Sequence, residues 1–220
     1  MRRYFYLLII LLISSCNNER VVQLPEIEKA EITEALDVSP IYIFYDETQP
    51  DSTLFNRKNL IGTTNWLVNV DKRLTLQQVI PHIQYLQKKR KKASMHKNEN
   101  AKNYFTCNDT SIGSLGFVEF TDVNFITDES ATLNSKELFC HVIIFDLSTI
   151  HLTTTTNIMY QTKIDSLTSV ISRIIEKNED ETEFLLGFNN TLTFQDYIDL
   201  KTTVKAFEKS ISKNEFIFHP

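Results

Sequence analysis

Phe184-Leu185-Leu186-Gly187-Phe188, then Asn189-Asn190-Thr191-Leu192 and Thr193, is the stretch whose reading decides the fold. Its first five residues form a short apolar run of the kind that fills a buried strand. The polar residues after it read as a turn, and Thr193 reads as a helix cap. Tyr197, Leu200, Val204, Phe207 and Ile211 then recur at helical spacing and predict one apolar helix face. Glu215-Phe216-Ile217-Phe218 closes the chain as a strand.

Working back from this stretch, Ile164, Leu167, Val170, Ile171, Ile174 and Ile175 predict a helix over about 160–177. Cys140-His141-Val142-Ile143-Ile144-Phe145 has the unbroken apolar character of a strand buried on both faces. Ile150-His151-Leu152 and the threonines to Thr156 suit another strand, and Asp128 to Lys136 reads as loop. Phe117-Val118-Glu119-Phe120 and Val123-Asn124-Phe125 alternate as an exposed hairpin would.

Farther upstream, Ile41 to Tyr45 and Trp66 to Val70 read as strands, with a long polar loop over Asp46 to Gly62 between them. Thr75 with Gln78 is a capping-box pair, followed by Leu76, Val79, Ile80, Ile83 and Leu86 on one helical face. Pro81 within that pattern predicts a kink. Residues 93–104 read as polar chain. Together these elements predict an α+β fold: a mixed β-sheet with helices packed mainly on one face. Residues 41–92 and 141–177 share a strand–strand–helix order, with no simple repeat period.

The N-terminus carries a different signal. Arg2 and Arg3 precede an apolar run from Tyr4 to Ile13, followed by Ser14-Ser15-Cys16. That layout is a secretory signal, too short to span ~30 Å of hydrocarbon as a helix. Ile13-Ser14-Ser15-Cys16 resembles the lipobox of bacterial lipoproteins, which implies cleavage before Cys16 and acylation of its thiol. The expected organisation is a signal peptide over 1–15, a tether over 16–39 and one α+β domain over 40–220. The tether holds a segment, Glu26 to Leu36, able to form a short transient helix. Asn17 after the lipidated cysteine lacks the retaining Asp of enteric-type sorting, which by the same resemblance favours the outer membrane, facing the periplasm.

Formal net charge is −5, more negative still once Arg2 and Arg3 are removed. That sign argues against nucleic acid as a partner. The lipid, rather than charge, is expected to hold the protein at a membrane. The basic exception is Lys88-Lys89-Arg90-Lys91-Lys92, which closes the predicted helix and complements its C-terminal partial negative charge. It reads either as a solvated helix end or as a contact for a polyanion. Cys107 and Cys140 remain as an even pair, which an oxidising compartment permits to bond; the alternative is two separate thiols.

Known catalytic spacings are absent: no G-x-S-x-G, H-E-x-x-H, Walker loop or C-x-x-C occurs. His82, His96, His141, His151 and His219 are scattered without a zinc-binding helical pair, so neither metal nor cofactor is expected. His141 and His151 are placed to approach one another across neighbouring strands, with Cys140 beside them. Asp46-Glu47 and the run from Glu179 to Glu183 read as solvated loop carboxylates.

In its order of elements, residues 141–220 resemble the periplasmic domain of ExbD/TolR-type proteins. The resemblance rests on the strand Glu183–Phe188, the polar turn Asn189–Leu192, the amphipathic helix Phe194–Ile211 and the last strand. Asn189 and Asn190 stand where that family usually has Asp, and Ser210-Ile211-Ser212 where it usually has Gly. Tyr4–Ile13 contains no carboxylate, unlike the family's proton-handling membrane helix. The resemblance therefore implies a docking module without proton coupling.

The expected function is that of a non-enzymatic, lipid-anchored envelope protein binding another envelope protein or a cell-wall polymer. The sheet edge near residues 117–125 and the basic end Lys88–Lys92 are its expected contacts. The alternatives are a hydrolase-like lipoprotein enzyme and a structural subunit of an outer-membrane complex.

Overall fold

The computed structural model describes residues 20–92, 98–127, 139–177 and 183–219. The lipobox, His96 and most of the Glu179–Glu183 run lie outside the described residues. The fold is α+β, but its strands form two six-stranded mixed sheets rather than one.

The first sheet contains β1 (Glu26–Ile27), β2 (Val38–Tyr45), β3 (Thr53–Asn56), β4 (Asn65–Val70), β5 (Asn103–Asp109) and β6 (Ser114–Glu119). Helix α1 (Leu76–Lys91) connects β4 to β5. The second sheet contains β7 (Asn124–Ile126), β8 (Phe139–Asp146), β9 (Thr149–Thr153), β10 (Met159–Thr162), β11 (Glu183–Asn189) and β12 (Ile211–Phe218). Helix α2 (Ile164–Lys177) precedes β11. Helix α3 (Phe194–Thr203) and a 3-10 turn (Lys205–Ser210) join β11 to β12.

Both sheets follow one plan. In the first, β5, β4 and β2 lie side by side and parallel, β3 folds back antiparallel on β2, and β1 pairs with the end of β5 on the side that β4 occupies farther back. In the second, β12, β11 and β8 do the same and β9 folds back on β8, but the outer side of β12 takes parallel β7 where that of β5 takes antiparallel β6. Helix α1 in one and α3 in the other make the same parallel crossover. The first copy adds β1 and β6, while the second adds β7, β10 and α2. The chain thus repeats one structural plan in tandem, with the copies joined where β6 of one sheet hands over to β7 of the other. Around the crossover start the residues still correspond: Leu74-Thr75-Leu76-Gln77 matches Leu192-Thr193-Phe194-Gln195.

The copies meet at this matching stretch. Thr75 and Thr193 form an antiparallel bridge. Leu76 N donates to Leu192 O at 2.9 Å and Phe194 N donates to Leu74 O at 2.7 Å. One residue farther in, Gln77 N donates to Asn190 O and Gln195 N to Lys72 O, at 2.9 and 3.2 Å. A helix leaves its first amides without internal partners. Here each helix finds acceptors for its first two in the turn of the other copy. Below the bridge, Phe105 of β5 touches Phe194 and Tyr197 of α3, and one apolar core runs through both copies.

Several expectations change. Residues 20–39 are not a free tether and form no helix. Pro25 O accepts from Asn108 N, β1 adds to β5, and Ile27 is buried. The chain then crosses over Gly116 to a bridge between Ile32 and Phe117. Lys29 takes φ 56° there, a conformation no helix uses. Residues 117–120 and 123–125 are not a hairpin: β6 pairs β5, and β7 pairs β12. The loop over Asp46 to Gly62 hides the short strand β3, and β5 and β10 lie where no strand was expected. Helix α1 continues through Pro81, while the expected last helix ends at Thr203, where Val204 leaves α geometry and a 3-10 turn follows.

Candidate functional site

Because α1 and α3 are equivalent, each core position of one copy can be compared with its counterpart in the other. Counting from the caps Thr75 and Thr193, Val79 corresponds to Tyr197 and Ile83 to Lys201. Sheet register pairs Val68 with Phe105 in the first copy and Leu186 with Glu215 in the second, so Phe105 corresponds to Glu215. In the first copy these positions are apolar and fully buried. In the second they hold a phenol, an ammonium and a carboxylate.

The polar trio is closed on itself. Glu215 is fully buried; its Oε2 accepts from Tyr197 Oη at 2.8 Å, and its Oε1 accepts from Lys201 Nζ. Burial first, and then the Glu215 charge, push the Tyr197 phenol well above its usual range. The phenol therefore stays protonated and donates. An ion pair in this setting adds little net stability, since well-packed apolar groups of similar volume serve as well or better. The first copy shows that the fold accepts an apolar solution at this place.

Lys201 opens onto a groove between the copies, made of two adjoining cavities of about 280 and 290 Å³. Both cavities are lined by Val118 and Glu119 of the first copy and by Lys201 and Lys205 of the second. One end has Ile27, Ala30, Ile32 and Phe117, with Glu28, Lys29 and Glu31 beside them. The other carries ion pairs: Lys102 with Glu119 at 2.7 Å, and Lys213 with Glu208 at 3.7 Å. Lys205 also pairs with Glu208. The lining thus mixes both charge signs with apolar side chains, and Lys201 links it to the buried Glu215 and Tyr197. Such a surface suits a polypeptide segment bearing both apolar and charged side chains.

The residues singled out from sequence do not gather here. In Lys88–Lys92, the four lysines are exposed but Arg90 turns inward. Its guanidinium lies 3.6 Å from the Trp66 ring centroid and donates to Asn103 Oδ1 and to the carbonyls of Gly62, Thr64 and Lys102. Burial lowers its pKa to about 10. Arg90 is a structural clasp, and of the five residues expected to contact a polyanion the exposed ones are Lys88, Lys89, Lys91 and Lys92.

Cys107 and Cys140 are free, buried thiols in different sheets, each pushed up to about 12 by burial. The disulfide considered for them is absent, the two thiols being held in strands of different sheets. His141 and His151 share a face as diagonal neighbours of β8 and β9, where His151 meets the Phe145 ring. Cys140, one residue before His141, points to the opposite, buried face. Among the described residues, no three His, Cys, Asp or Glu side chains are grouped to hold a metal. The edge near residues 117–125 is partly covered: Phe117 N donates to Ile32 O, and the Gln84 and Gln87 side chains donate to Phe125 O and Val123 O.

Tyr197, Lys201 and Glu215 were not singled out from sequence. A signal for Glu215 was present, since strand alternation puts it on the same face as Ile217 and so inward. Lys201 stands four residues after Tyr197, on the helix face that packs inward. No family model, no curated protein and no solved structure matches this chain.

Proposed function

We propose that this protein is a non-enzymatic, lipid-anchored component of a bacterial cell envelope that binds a segment of another envelope protein in the groove between its two copies. The lipid attaches at Cys16, and the outer membrane, on its periplasmic side, is the proposed location. The observation that carries the reading is the buried Lys201–Glu215–Tyr197 trio, standing where the sister copy packs Ile83, Phe105 and Val79. A repeated fold that keeps one apolar copy and charges the other under an open groove has specialised that side for recognition. The ExbD/TolR resemblance points the same way, towards a docking module rather than a catalyst.

The test is to crosslink the full chain in cells and compare the captured protein between the wild type and Lys201→Met/Glu215→Leu/Tyr197→Phe. This variant is apolar at the three positions and close in volume, and is compared only after its circular dichroism spectrum matches the wild type. Loss of the captured protein from a folded variant supports the reading. Equal capture by the two chains removes the trio from the recognition surface.

A further inference from the structure

Open strand edges invite pairing with another strand, so proteins protect them with charge, bulges or covering groups. The edges of the two sheets differ sharply here. Edge β3 is flanked by Asp51, Arg57 and Lys58. Edge β6 is bridged by Ile32, and β7 is covered by the Gln84 and Gln87 amides. Among the described residues, no bridge and no side-chain hydrogen bond covers edge β10, and the charges near it, Lys163 and Asp165, lie past its end. From Thr149 to Thr162 the chain contains no Asp, Glu, Lys or Arg, although charged residues make up 23% of the whole. Ile158 and Met159, at the start of this edge, are 51% and 67% exposed.

Register shows which backbone groups are open. Thr154 N donates to Ile158 O, and β10 continues antiparallel to β9 with Tyr160 opposite Leu152. In an antiparallel ladder, alternate residues turn their N–H and C=O groups to the same neighbour. Tyr160 and Thr162 therefore bond towards β9, whereas Met159 and Gln161 present theirs to the outside.

We infer that β10 is a homotypic docking edge, pairing antiparallel with β10 of a second copy of this chain across a two-fold axis at Tyr160. This register sets Met159 opposite the partner's Gln161 and Gln161 opposite the partner's Met159. Those are the two residues whose backbone groups are open, so each strand supplies the donors and acceptors that the other needs. The uncharged stretch meets itself without like-charge repulsion. Ile158 is covered opposite the partner's Thr162. A four-residue edge buries less than the roughly 1,200 Å² of a standard interface, so the dimer is weak and concentration-dependent.

The test uses two full-length chains, Met159→Cys and Gln161→Cys, both altered at exposed sites and checked for an unchanged circular dichroism spectrum. Directly opposed residues in a hydrogen-bonded pair lie about 5.5 Å apart between Cα atoms, within disulfide reach. Two copies of the same variant place their cysteines two residues out of step, beyond about 7 Å. Oxidation of the mixed chains is expected to give the disulfide between the two different variants, with little of either like pair. Sedimentation across a concentration series is expected to show a dimer that Gln161→Pro loses. That variant removes an outward donor and leaves the ladder to β9 intact. Equal yields of all three disulfides, no disulfide at all, or an undiminished dimer in Gln161→Pro overturns the inference.

Discussion

Thr75 and Thr193 face each other across an antiparallel bridge, and each begins a helix whose first amides bond to the turn of the other copy. Capping is normally local, supplied from residues next to the helix it serves. Here Thr75 and Thr193 keep their local capping boxes, but the first two amides of each helix are satisfied by the other half, so neither crossover helix has a complete N-terminus alone.

That exchange predicts one unfolding transition. Thr193 Oγ1 accepts from Asp196 N at 3.1 Å, and replacing a cap of this kind with Ala costs about 1 kcal/mol. Trp66, the single tryptophan, sits in the other copy. In Thr193→Ala, Trp66 fluorescence and far-ultraviolet circular dichroism should shift their urea midpoints together. A shift seen only by circular dichroism would show that the copies fold separately.

The trio makes a thermodynamic prediction alongside the functional one. Lys201→Met alone leaves the Glu215 carboxylate buried without its cation, which costs about 3–5 kcal/mol. Lys201→Met/Glu215→Leu/Tyr197→Phe removes every member and should be as stable as the wild type, or more so. Denaturant titration of both variants measures this. An unstable triple variant would mean that the trio is held for folding.

Gly116 lies under the crossing of residues 28–32, where an added Cβ would come 2.5 Å from Ala30 Cβ. Both carbons are fixed to backbone, so no rotamer change relieves the contact. Gly116→Ala should destabilise by about 1–3 kcal/mol, the usual range for overpacking. Adding Ala30→Gly should return most of the loss, as measured by thermal melting; no recovery would place the strain elsewhere.

The same crossing is pinned by Asp109. Its carboxylate accepts from Ser111 Oγ at 2.6 Å and from the amides of Ser111, Ala30 and Lys29 at 2.9, 2.6 and 3.3 Å. These bonds, led by the Ser111 hydroxyl, hold its pKa below the ordinary value. A lowered carboxyl pKa contributes stability that is present above the unfolded value, about 3.9, and is lost as pH falls through the folded one. Amide exchange at Lys29 and Ala30, corrected for its intrinsic pH dependence, should therefore lose protection below about pH 4. Asp109→Asn should show weak protection at every pH. Protection in the wild type that persists through this range would remove Asp109 as the pin.

Much of the second copy was legible because its signals are local. The apolar run of β11, the cap at Thr193 and the inward residues of α2 each lie within one element. The short strands β3 and β10 were missed because edge strands of four residues have little apolar alternation to read. Asn103–Asp109 concealed β5 because polar residues interleave with Phe105 and Cys107, the two that face the core. The repeat was hidden for another reason. It is conserved in backbone bonds, carbonyl to amide, and leaves only Leu74-Thr75-Leu76-Gln77 and Leu192-Thr193-Phe194-Gln195 as a trace in side chains. Of the site, Glu215 was legible as a carboxylate on an inward strand position, whereas Lys201 stands out only against Ile83, its counterpart in the other copy.

The most direct test of the groove is a photo-crosslinking amino acid placed singly at Val118, at Ala206 and, as a control on the exposed β8–β9 turn, at Ser148 in the full chain in cells. Irradiation and mass spectrometry then identify what each position touches. We predict one envelope protein crosslinked from both Val118 and Ala206 and not from Ser148. Capture from Ser148 alone, or from none of the three, would contradict the groove as the recognition site.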